Sequence, residues 1–166
     1  MSSSTPETLT AAVLTVSDSS ARGERDDLSG PAVAECLTQH GFSVVATEIV
    51  ADEQPQIQNA IALLTSEVRL IVTTGGTGVA PRDVTPEATR AVCERLLEGV
   101  AERMRSEGAK KTPLAALSRG VCGTRGKSLI LNLPGSPRGA VESLEAVIAL
   151  LPHALELLAG STRHSG

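Results

Sequence analysis

An α/β fold with a mostly parallel sheet flanked by helices is what this sequence predicts, and three observations lead to it. Short apolar runs at 11–17 (AAVLTVS), 44–50 and 68–73 lead into polar residues, as buried strands do when they deliver loops to a sheet edge. Between the runs, apolar residues recur at helical spacing: Val33, Cys36 and Leu37, then Ile57, Ile61 and Leu64. Strand alternating with helix gives βαβ units and parallel strands. The third observation is one Phe with no Trp and no Tyr. The interior must then be closed by Ala, Val, Leu and Ile, which suit strands lying under helices.

Taken in order, the first run ends in Ser17-Asp18-Ser19-Ser20, and Asp27 with Ser29-Gly30 reads equally as a helix cap or as part of a site. The second run leads into Ala51-Asp52-Glu53. The third leads into TTGGTGVAPRDVTPEAT, residues 73–89. There Thr85 can cap a helix, Pro86 suits its first position and Glu87 favours its positive end, predicting a helix from Thr85 to about Leu97. SLILNL, 128–133, is a last strand stopped by Pro134-Gly135. Beyond Val141, Leu144, Ile148, Leu151, Leu155 and Leu158 form one helical face, kinked or divided at Pro152. A length of 166 residues fits one domain, 11–159, between a flexible leader at 1–10 and a flexible tail at 160–166.

Several functions are disfavoured. A net charge of −4 without a basic block argues against a nucleic-acid surface, and no apolar run is long enough to span a membrane. Cys36, Cys93 and Cys122 are odd in number and far apart, so neither a disulfide framework nor a zinc site is signalled, and a reducing cytoplasm is the default. GVCGTRGKS, 120–128, looks like a phosphate loop, but that motif requires glycine at 121, where Val121 stands, and Lys127-Ser128 run into a strand, not a helix. It reads as a tight turn between two strands.

Chemistry is better sought in TTGGTG, which follows one strand and precedes one helix at the sheet edge where α/β proteins bind ligands. Three glycines in four positions let backbone approach an anion, and threonine hydroxyls add donors. Ser17-Asp18-Ser19 and the 132–139 segment, LNLPGSPRG from Leu131, would reach the same edge. Gly135 and Ser136 before a helix suit either an anion cradle or a capped turn. Asp52 and Asp83 are the carboxylates near enough to serve phosphate chemistry, which usually needs a divalent cation.

LTVSDSS, DLSGPAV, TTGGTGVAPRDVTPEAT, LSRGVCGTRGKSLILNLPGSPRG and LPHALELL, in this order, closely resemble the molybdopterin adenylyltransferases, the MogA-like family that includes the G domain of gephyrin and its plant counterparts. The resemblance implies a three-layer α/β/α fold, usually a trimer, that transfers AMP from Mg-ATP to molybdopterin and releases pyrophosphate. It implies Asp52 and Asp83 as catalytic and Mg2+-positioning residues. Thr74, Gly75, Gly76, Thr77, Gly78 and Arg82 would meet the nucleotide. Ser17, Asp18, Ser19, Pro134, Gly135, Ser136 and Arg138 would meet the pterin or its phosphate. A downstream molybdate-insertion protein is the implied recipient of the product. The sister MoaB-like proteins share much of the glycine motif, so a pterin-binding or scaffold trimer without adenylyl transfer is the alternative.

Overall fold

A computed structural model describes residues 8–160. Residues 1–7 and 161–166, most of the expected leader and tail, lie outside the described residues. The strands are β1 (Thr10–Val16), β2 (Ser43–Val50), β3 (Leu70–Thr74), β4 (Arg95–Leu96), β5 (Cys122–Arg125) and β6 (Ser128–Leu133). The helices are α1 (Asp18–Ala21), α2 (Ser29–Gln39), α3 (Gln54–Leu64), α4 (Thr85–Val92), α5 (Glu98–Ala109), α6 (Pro137–Val147) and α7 (Leu151–Leu158), with 3-10 turns at Pro113–Leu117 and Ile148–Leu150.

One sheet runs in the order β2-β1-β3-β6-β5-β4. The first four strands are parallel, and β5 and β4 are added antiparallel. Alternate side chains along each central strand enter different layers, because successive residues of a strand face opposite sides. Ala11, Val13, Leu70, Val72, Leu129 and Leu131 join the core that α2, α5, α6 and α7 cover. Ala12, Leu14, Ile71 and Ile130 join the core under α3 and α4. The fold is therefore α/β/α in three layers, with β1 and β3 carrying apolar residues on both faces.

The sequence expectations meet the structure unevenly. GTRGKS is the predicted turn: β5 and β6 pair with Arg125 opposite Ser128, and Gly126 takes the positive φ of +57° that such a short connection requires. The C-terminal helical face is divided by the 3-10 turn, with Pro152 in the first turn of α7. The helix expected to reach Leu97 instead stops at Val92. Cys93 turns extended, and the Glu94 and Leu97 N–H groups donate to the carbonyls of Thr124 and Cys122, so sheet pairing takes over from the helix. Thr85 does not cap α4 either. Val84 holds that position, and the Thr85 hydroxyl donates to the Gly75 carbonyl at 2.9 Å.

Candidate active site

The sheet order reverses between β1 and β3, since the chain goes from β1 outward to β2 and then back across to β3. Loops leaving two such strands diverge to opposite faces and leave a crevice at the carboxyl edge. The ends of β1, β2, β3 and β6 meet there. Gly75 and Gly76 make the turn with φ of +103° and +69°. A Cβ on Gly75 would lie 2.3 Å from the Val16 carbonyl oxygen, and one on Gly76 would lie 2.4 Å from the Thr85 hydroxyl and 3.0 Å from Asp52 Oδ1. Only glycine permits both the backbone conformation and the close approach. The β6 loop packs on this turn: Gly75 N–H donates to Leu133 O at 3.1 Å, Thr74 Oγ1 to Pro134 O at 2.7 Å, and a Cβ on Gly135 would sit 3.3 Å from Gly75 Cα.

Three acidic groups stand around the glycines. Asp18 and Asp52 exchange hydrogen bonds: Asp18 N–H donates to Asp52 Oδ2 at 2.9 Å, and Asp52 N–H to Asp18 Oδ1 at 3.0 Å. Arg82 crosses from the glycine loop and donates to both Asp18 oxygens at 2.6 and 3.1 Å, to the Asp52 carbonyl at 3.1 Å and to Glu53 at 2.9 Å. The Arg82 hydrogen bond holds the Asp18 carboxyl below its ordinary range. Burial pushes Asp52 upward, and the charges of Asp18 and Asp83 add to that push. Asp83 folds its own turn, accepting from Ala80 N–H at 3.0 Å, and its Oδ2 would be 2.9 Å from a Cβ on Gly78.

Two chambers open along the glycine turn. The larger, about 710 Å³, runs from Gly76, Thr77 and Gly78 to an apolar wall that includes Met104, Leu114 and Leu117. The smaller, about 410 Å³, is polar and includes Ser17, Asp27, Asp52 and Gly75. Gly76, Asp83, Gly135 and Ser136 belong to both, so the chambers communicate at these residues.

Most of the residues expected at a site are brought to this edge. Ser17 caps α1 and Ser136 caps α6, each accepting a backbone N–H three residues on, and Ser17 also shares a hydrogen bond with Ser19. Arg138 is not brought in. Its side chain is 90% exposed and pairs with Glu142 one helical turn along; Arg138 lines neither chamber, although Glu142 lines the larger. Asp27 acts as the cap that its spacing allowed, accepting from Gly30 N–H at 2.9 Å, while also taking the Thr15 hydroxyl at 2.7 Å and lining the smaller chamber. The sequence reading missed the α5 wall, for which it had no element, and Arg119, which binds the carbonyls of Gly78 and Asp83. Nothing local marks Arg119; it lies only within the longer LSRGVCGTRGKS pattern.

Residues 12–153 match the family model described as a probable molybdopterin binding domain. A relative named molybdopterin adenylyltransferase, from Helicobacter pylori strain J99, is 43% identical over 159 residues, covering 93% of this chain and 90% of that protein. The protein of the same name from Escherichia coli K12 is 38% identical over 169 residues, covering 92% of this chain and 87% of its own. Among solved structures, the molybdopterin biosynthesis enzyme MoaB from Thermus thermophilus is 54% identical, with a TM-score of 0.87 and coverage of 92% of this chain and 98% of that one. A fold with paired chambers at a glycine turn, matched by this family over most of its length, leads to one conclusion: the chain belongs to the molybdopterin-binding domain family.

Proposed function

We propose that this protein is a molybdopterin adenylyltransferase, a nucleotidyltransferase of molybdenum cofactor biosynthesis that moves AMP from Mg-ATP onto the terminal phosphate of molybdopterin. The observation that carries the reading is the pair of chambers joined at Gly76, Asp83, Gly135 and Ser136, which lets two bulky anions meet at their phosphates. Both Asp52 and Asp83 line the smaller, more polar chamber, so we assign it to the metal-nucleotide and the larger chamber, with its apolar wall, to the pterin. Ser17 lines the smaller chamber, and Asp18 is engaged by Arg82 beside Asp52. On this reading both stand with the nucleotide and not with the pterin that the resemblance implied for them.

The donor set suits Mg2+. Asp52 Oδ2 is engaged by the Asp18 N–H, while Oδ1 faces the space over Gly76 that a Cβ would fill. Among the described residues no cluster of three acidic, histidine or cysteine side chains forms a closed cage. Two carboxylates with the remaining positions left to water and phosphate is the usual magnesium arrangement. When bound, the cation would offset the charge between the polyanions. Asp18 is already neutralised by Arg82 and is the poorer ligand.

The reaction asks little covalent chemistry of the protein. A terminal phosphate oxygen of molybdopterin forms a bond to the α-phosphorus of ATP, the bond from that phosphorus to the bridging oxygen breaks, and pyrophosphate leaves with the electron pair. The attacking oxygen is already anionic, so no general base is needed. What the chain supplies is alignment and charge compensation from backbone N–H groups of the glycine turn. A homotrimer working in the cytoplasm, and delivery of the product to a molybdate-insertion protein, complete the proposal.

The test is pyrophosphate release on mixing the protein with Mg-ATP and molybdopterin. Release should require the pterin and fall roughly 100-fold or more in Asp83→Asn. ATP consumption without pterin would instead mark a general ATPase. The second reading is the MoaB-like alternative, a pterin-binding trimer without adenylyl transfer. Pterin binding with no pyrophosphate release would establish that one.

A further inference from the structure

Arg119 lines neither chamber but a separate cleft of about 480 Å³, shared with Arg90 and Glu102. From there its guanidinium reaches both ends of the turn 78–83. Nε donates to the Gly78 carbonyl at 2.7 Å and Nη2 to the Asp83 carbonyl at 2.8 Å. Glu87 holds the same group from the first turn of α4, accepting at 2.7 and 3.2 Å. The backbone N–H of Arg119 donates to the Thr77 carbonyl at 2.8 Å. Three carbonyls of the loop, those of 77, 78 and 83, are thereby turned toward one residue.

A trans peptide is planar, with its C=O and N–H pointing in opposite directions. Capture of these carbonyls therefore turns the N–H groups of Gly78, Val79 and Val84 away from Arg119. Among the described residues none of the three donates to a protein acceptor. Of the three, Gly78 lines the larger chamber beside Thr77 and Asp83, so its N–H is a donor available to a ligand there, while Val79 and Val84 line neither chamber. Holding Asp83 by its carbonyl also fixes the position of its carboxylate. A planar guanidinium makes these bonds in several directions at once, which an ammonium group cannot do in fixed geometry.

We infer that Arg119 is a positioning residue for adenylyl transfer, one that aims the Gly78 N–H and sets Asp83 by holding the carbonyls of the glycine loop. The inference rests on the adenylyl-transfer reading of the site. Its consequence is that Arg119 affects turnover and the magnesium requirement without touching either substrate.

The experiment compares wild type, Arg119→Ala, Arg119→Lys and Glu87→Gln in the pterin-dependent pyrophosphate assay, with kcat, KM for ATP and the half-saturating Mg2+ measured for each. Both arginine variants should lose about 10- to 100-fold in kcat, with a smaller change in KM and a raised Mg2+ requirement. Millimolar free guanidinium should restore part of the kcat of Arg119→Ala. Glu87→Gln leaves the carbonyl bonds in place and should stay within a few-fold of wild type. A merely structural role would lower thermal stability but leave kcat per folded molecule and the Mg2+ requirement unchanged, and that outcome overturns the inference. Wild-type kinetics in Arg119→Lys would also overturn it, and that variant serves if the alanine variant fails to fold. Should wild type release no pyrophosphate, the adenylyl-transfer reading fails separately. Calorimetric binding of Mg-ATP then decides the inference: roughly 10-fold weaker binding in both arginine variants supports it, and equal affinity ends it.

Discussion

Asp18 and Asp52 carry the same side chain and bond to each other's backbone, yet their surroundings drive them apart. Arg82 draws Asp18 down, while burial beside two other carboxylates pushes Asp52 up. The stability consequences have opposite signs. The Asp18 contribution is present above its unfolded pKa and lost as pH falls through its lower folded value. Asp52, with a raised folded pKa, costs stability as pH rises and it ionises. With Asp52 holding Mg2+ as proposed, its ionised form is needed, and because burial raises its pKa, pyrophosphate release should begin to fall on acidification sooner than an ordinary aspartate would make it. Raising Mg2+ should move that limb to lower pH, because the cation binds only the ionised form. A pH profile at two Mg2+ concentrations checks this, and a limb indifferent to Mg2+ would remove Asp52 from the metal's surroundings. The cysteines take no such part. Burial lifts Cys93 to about 11 and Cys122 to about 12, leaving protonated thiols at neutral pH.

At the scale of elements, two glycine turns that look alike in sequence serve different ends. Gly75 has positive φ and lies against the Val16 carbonyl, whereas Gly126 has positive φ and open space around it. Gly126→Ala should cost only the left-handed backbone penalty, about 1 kcal/mol. Gly75→Ala must also part β3 from the end of β1 and should cost about 2 kcal/mol or more, with loss of activity. Urea unfolding of the two variants separates these values, and equal costs would mean that β1 yields easily. The same contrast explains what was readable in the chain. Apolar runs marked β1, β3 and β6, which are buried on both faces, and helical spacing marked α2 and α3; β2 was marked by the same kind of run although, as the edge strand, it is nowhere fully buried. The reading missed β4, knew β5 only as the strand before the GTRGKS turn, and carried α4 too far. Residues 93–97 are set by sheet hydrogen bonds with Cys122 and Thr124, partners whose position no local pattern records.

For the whole molecule, the sheet order decides more than any single loop. Large aliphatic side chains remain exposed on separate elements, among them Leu28, Leu63 and Val79, and by themselves name no partner. The trimer is proposed from the family resemblance: sedimentation at micromolar concentration should give it, and a monomer would withdraw that part of the proposal. By itself the sequence determined the layer class, through strand and helix periods and an aromatic-poor composition, and it determined the glycine turn, through residues that only one backbone shape requires. It also named Asp52 after β2, Asp83 inside the glycine-rich loop and Ser136 before a helix. Only the tertiary structure decided which way each side chain points: Arg138 to solvent, Arg82 to Asp18, Arg119 to the carbonyls of a loop distant in the chain. The physical reason is range. Periodicity and turn chemistry act between neighbours along the chain, while a chamber and its electrostatics arise where the ends of β1, β2, β3 and β6, distant in sequence, are packed against one another.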